Sequence, residues 1–106
     1  MSFRYMRVIV LFDLPTETAK DLREYRLFRT FLIKSGFIMM QESVYTKLAI
    51  NPSVAELVKN QVRKSLPSAG LVQMLTITEK QFQSMELLLG DVQSVYCDST
   101  DRVVEL

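Results

Sequence analysis

Residues 6–15, MRVIVLFDLP, carry an unbroken apolar run from Val8 to Phe12 that ends on one carboxylate, Asp13, two residues ahead of Pro15. A carboxylate at the end of a strand is an oxygen donor suited to a hard cation. Mg²⁺ takes one or two protein carboxylates and completes its octahedron with water and substrate phosphate oxygens. The same position suits an acid that forms a turn or caps a helix, and one carboxylate alone makes no metal site. A second set of residues is basic. At about 100° per residue, Arg23, Arg26, Thr30 and Lys34 form a narrow stripe opposite a broad arc of Leu22, Tyr25, Phe28, Phe31 and Leu32. Such a stripe either follows a phosphate backbone or is an ordinary solvated face. Arg29 differs, because it projects within the apolar arc. There an arginine snorkels, pairs with a buried acid, or reaches a ligand or second subunit. Further along, Lys59 and Arg63 stack one helical turn apart with Lys64 nearby, a weaker signal of the same kind.

Other chemistries are excluded by what is missing. The chain has no histidine, which removes His-based acid–base catalysis, Ser–His nucleophilic sites and most zinc sites. Its one cysteine, Cys97, allows no internal disulfide and has no cationic neighbour in sequence, so a reactive thiol is not expected. One cysteine, no apolar run of membrane-spanning length and no signal-peptide core together suit a cytoplasmic protein. The net charge is only +1. Its distribution is uneven: residues 1–64 hold 11 basic and 6 acidic side chains, residues 65–106 hold 2 and 6. This split predicts either a basic face for anionic ligands or two halves that attract each other.

The elements that must position these residues follow from pattern and punctuation. The 106 residues, 48% hydrophobic and 24% charged, suit one domain with its own core. Met6–Phe12 reads as a strand. Thr16 or Thr18 caps a helix that runs to about Ser35, where Gly36 stops it. Residues 37–50 read as two short strands meeting at a polar turn in Gln41-Glu42-Ser43. Asn51 and Pro52 open a second helix with Val54, Leu57, Val58 and Val62 on its apolar face. Leu66-Pro67 ends it, Gly70 opens the strand LVQMLTI, and a short helix over 79–83 follows. MELLL and VQSVYC read as further extended pieces. The order β-α-β-β-α-β, with an added C-terminal strand, predicts an α+β, ferredoxin-like fold. One domain spans 1–106, with its core in about 1–78; residues 79–106 are expected to pair with a second subunit.

The first strand is apolar on both faces, whereas a sheet with helices on one side needs only one apolar face. The expected cover for the other face is a second copy, giving a twofold homodimer; the alternative is the C-terminal segment folding back within one chain. Near a twofold axis, two Asp13 side chains face each other and can share Mg²⁺, an ion able to polarise a phosphodiester and acidify a bound water.

RVIVLFDLP at the start, RLFRTFLIKSGF with QESVY in the middle and LVQMLTITEKQ later resemble, in order over residues 4–90, the CRISPR-associated protein two family, the small partner of the adaptation integrase. ITEKQ…LLLG resembles members found beside type II systems. The resemblance implies a ferredoxin-like dimer whose C-terminal strand crosses to the partner. It implies Mg²⁺ shared between the Asp13 residues of two subunits, metal-dependent phosphodiester cleavage of single-stranded RNA or double-stranded DNA, and a site role for Ser43. It also implies a DNA-holding place beside the integrase subunit. Met39 and Met40 stand where many relatives carry arginine and valine, so the contacts of that arginine are not carried over. The expected function is a CRISPR adaptation scaffold that holds captured DNA, with Asp13 and Ser43 as catalytic residues, Asp13 as metal ligand, and Arg23, Arg26, Arg29, Lys34, Lys59 and Arg63 toward nucleic acid. Alternatives are a stand-alone ribonuclease toxin of the same fold and a small ligand-binding regulatory domain.

Overall fold

The structure, a computed structural model, describes residues 5–90. The elements are β1 (Met6–Asp13), α1 (Ala19–Lys34), β2 (Ile38–Gln41), β3 (Val44–Ala49), α2 (Pro52–Arg63), β4 (Leu71–Thr78) and α3 (Glu79–Gln83). The four strands form one sheet in the order β2-β3-β1-β4, with every neighbouring pair antiparallel. α1 and α2 each cross over one strand to reach the next, which is the ferredoxin-like arrangement expected from the order of elements.

Local chemistry sets the boundaries. Of the two candidate caps, Thr18 is used. Its hydroxyl accepts from the Asp21 amide and the Asp21 carboxylate accepts from the Thr18 amide, a reciprocal box that satisfies two orphan donors. At the other end, Gly36 lies at φ +95°. The Gly36 amide donates to the Ile33 carbonyl and the Phe37 amide to the Leu32 carbonyl, a left-handed stop that favours glycine. Asn51 caps α2 by accepting from the Val54 amide, with Pro52 in the first turn.

Strand β1 alternates between two environments. Val8, Val10 and Phe12 point into a core made with Phe28 and Leu32 of α1 and Ala55, Val58 and Val62 of α2. Phe12 is its hub, edge-on to Phe28 at 5.4 Å and stacked on Tyr45 at 5.7 Å between ring centroids. Arg7, Ile9, Leu11 and Asp13 point to the opposite face. Part of that face is covered by α3. The Arg7 guanidinium makes two bonds of 2.6 and 2.8 Å to the Glu79 carboxylate and lies over the Phe82 ring.

Two details differ from expectation. Leu57 is 64% exposed, because Ala55 takes its place on the buried side of α2. Residues 85–89, expected to be extended, form no strand within the single chain; Leu88 and Leu89 are almost fully exposed. VQSVYC, the added C-terminal strand and the rest of the tail lie outside the described residues. No helix among the described residues is long and apolar enough to cross a membrane.

Candidate functional site

Asp13 is the last residue of β1 and is exposed. By the pleat it stands on the face opposite α1 and α2, beside Leu71, the first residue of β4. Gly70 holds this end of the strand in place. At φ +102°, it lies so close that a Cβ would sit 2.9 Å from the Asp13 carbonyl oxygen and 2.7 Å from a Leu14 methyl. Gly70 is legible in the sequence as the opener of β4, whereas its contact with Asp13 is not.

Ser43 reaches the same end of the sheet. The Phe12 amide donates to the Ser43 carbonyl at 3.1 Å, so the β2–β3 turn is tied to the residue before Asp13. Ser43 is the only non-glycine residue at positive φ among the described residues, at +69°. The fold thus brings Asp13 and Ser43 to one corner.

The basic residues divide into three groups. Arg23, Arg26 and Lys34 are exposed on α1, on the helical side of the molecule, and are therefore not gathered around Asp13. Lys59 and Arg63 are occupied: both pair with Glu56, at 3.3 and 3.1 Å, and Arg63 also donates to Asn60. Arg63, then Lys59, hold the Glu56 carboxyl below its usual range. Their charge is thus partly neutralised within α2. Arg29 stands alone in its contact: its Nε donates to the Tyr45 hydroxyl at 2.9 Å, so the arginine in the apolar arc pairs with a phenol rather than an acid. The sequence carries a signal for each residue though not for their pairing. An arginine among apolar neighbours and a core tyrosine each require a polar partner.

Nearby on α1, the Glu24 carboxylate accepts from the Ser68 amide and hydroxyl at 2.8 and 2.7 Å, which lower its pKa. It ties α1 to the segment leading into Gly70. A cleft of about 320 Å³ opens beside the corner, lined by Tyr25, Arg29, Met39, Glu42 and Tyr45.

Among the described residues no three acidic or thiol groups cluster tightly enough to cage a metal ion. Asp13 nonetheless fits a Mg²⁺ site of the open type: an exposed, hard-oxygen donor, able to share the ion with a second carboxylate and with substrate.

Comparison with known proteins adds an independent line. Residues 6–85 match the family model described as CRISPR associated protein Cas2. The chain is 46% identical over 101 residues to a CRISPR-associated endoribonuclease Cas2 of Treponema denticola, covering 95% of this chain and 100% of that protein. It is 44% identical over 101 residues to the protein of the same name in Ligilactobacillus salivarius, again covering 95% and 100%. The Streptococcus mutans protein of that name is 43% identical over 101 residues, covering 95% and 93%.

Proposed function

Because the chain belongs to the CRISPR-associated Cas2 family, we propose that it works in CRISPR adaptation as a cytoplasmic twofold dimer that binds nucleic acid and hydrolyses phosphodiester bonds at Asp13. The observation that carries this reading is the exposed Asp13 carboxylate, held at a strand end on the sheet face away from the two long helices. Two copies joined over that face contribute two such carboxylates to one cleft. Mg²⁺ bound there supplies the positive charge that polarises a phosphodiester and acidifies a water. Each Asp13 contributes two oxygens and one negative charge, and the Ser43 hydroxyl at the same corner donates to a phosphate oxygen. The relatives' name, CRISPR-associated endoribonuclease, supports RNA as the substrate, with double-stranded DNA as the second to try. Asp13→Ala is expected to abolish cleavage of single-stranded RNA while the dimer persists in sedimentation. Cleavage that survives the substitution overturns the assignment.

A second reading has its own observation. Arg23, Arg26 and Lys34 are exposed on α1, and none is within ion-pair distance of a carboxylate among the described residues. Such residues suit a scaffold that holds captured DNA for the adaptation integrase subunit by phosphate contacts without sequence preference. Replacing all three with alanine is expected to weaken duplex binding and to flatten the dependence of log K on log[salt] by about 0.9 per lost contact. An unchanged affinity and slope removes α1 from the DNA path.

A further inference from the structure

We infer that the cleft between α1 and the β2–β3 hairpin holds one unpaired nucleotide, with its phosphate on Arg29 and its base beside Tyr25. It thereby selects single strands for the Asp13 corner. The inference rests on the nuclease reading of Asp13 and adds the residues that would hold an unpaired strand.

At about 320 Å³, the cleft falls at the small end of ligand sites, roughly 300–1,000 Å³. It has space on the scale of one nucleotide. Its positive charge is fixed in direction. The Tyr45 ring is 1% exposed and stacked on Phe12, and its hydroxyl takes the Arg29 Nε–H. That bond uses Nε and not the terminal guanidinium nitrogens, and no carboxylate lies within 4.0 Å of Arg29 among the described residues. A held, planar guanidinium with no carboxylate in ion-pair contact is the donor that matches phosphate oxygens. Tyr25 supplies an aromatic surface that is itself braced, edge-on to Phe12 at 6.2 Å and 73°. Unpaired bases stack on such rings whatever their sequence. Glu42, on the hairpin side of the cleft, offers acceptors only. It repels a phosphate and accepts base N–H groups, so the nucleotide has one favourable orientation. Glu42 is followed by Ser43, whose carbonyl is bonded to the Phe12 amide beside Asp13. A strand leaving the cleft therefore turns over Ser43 onto the Asp13 face, a path open to a flexible single strand.

The test uses the whole protein in EDTA, so that binding is read without cleavage. Arg29→Gln, which keeps a planar group for Tyr45, is expected to lower affinity for a single-stranded RNA 12-mer about tenfold. It should flatten the single-strand salt slope by about 0.7, one phosphate contact, and leave duplex affinity unchanged. Tyr25→Leu is expected to cost single-strand affinity at least about fivefold. A slope change separates a phosphate contact from a folding defect. A measurement on the unaltered protein stands beside it: RNA carrying 5-iodouracil should crosslink to Tyr25. Crosslinks confined to other residues, an unchanged slope in Arg29→Gln, or equal loss of duplex binding each overturn the proposal. If the crosslink maps to Tyr25 while Asp13→Ala still cleaves, the nuclease reading fails and the nucleotide cleft stands.

Discussion

Ser43 adopts a left-handed backbone that costs a residue with a Cβ roughly 1–2 kcal/mol. Glycine would remove the cost, so a serine here is strain retained beside the candidate Asp13 corner. Ser43→Gly is therefore expected to stabilise the fold by about 1 kcal/mol, read by urea denaturation, while slowing cleavage through loss of the hydroxyl. A variant that gains stability and cleaves at full rate assigns the serine to the turn alone. Gly70 is the reverse case. Its φ of +102° and a Cβ contact of 2.9 Å with the Asp13 carbonyl leave no room for alanine. Gly70→Ala is expected to destabilise by more than about 1 kcal/mol. Because the backbone of Asp13 must shift to relieve the contact, cleavage should fall further than stability explains. Cleavage measured well below the melting transition checks this.

At the scale of elements, α3 is held to β1 by one charged contact. Arg7 and Glu79 side chains are each 14% exposed and meet through two bonds. The hydrogen bonds from Arg7 hold the Glu79 carboxyl below its usual value of 4.5. The stabilisation is therefore complete above about pH 4.5 and is lost as pH falls through the lowered folded-state pKa. Glu79→Gln is expected to cost about 1.5–3 kcal/mol at pH 7, the range for hydrogen bonds to charged groups, and to reduce the loss of stability between pH 4.5 and lower values. Chemical denaturation of both proteins across that interval measures it. The same scale shows where sequence reading succeeds and where it stops. Thr18, Gly36, Asn51 and Pro52 act within four residues of themselves, so the helix ends could be read directly. The polar turn read in Gln41-Glu42-Ser43 is also legible, since it interrupts an apolar run, although Gln41 ends β2 and the turn is Glu42-Ser43. The bond from Arg29 to Tyr45 joins residues 16 apart, and Gly70 meets Asp13 across more than half the chain; both exist only once the sheet is assembled. Met85–Leu89 carries the composition of a strand yet makes no ladder within the single chain, because composition does not specify the edge a strand pairs with.

For the molecule as a whole, the question left by β1 is what its second face is for. Ile9 is buried on that face, but Leu75 is 52% exposed, and Ile38, Leu48 and Leu71 are exposed around it. These four residues stand on three strands of one sheet face, the same face that carries Asp13. An apolar surface shared with the candidate acid is what a twofold assembly requires, because its axis then pairs both the leucines and the carboxylates. The dimer and the cleavage chemistry are thus one proposition with two readouts. Leu75→Glu places a charge where two copies would meet, at a site already half exposed, so the single domain keeps its fold while the pair loses its contact. Sedimentation of the unaltered protein should give a dimer and that of Leu75→Glu a monomer. Cleavage should vanish with the dimer, since one chain supplies one Asp13. Single-strand binding at the Arg29 cleft should survive, because α1 and the hairpin that form it belong to one protomer. A Leu75→Glu monomer that still cleaves would show that one carboxylate is enough, and would separate the assembly from the chemistry.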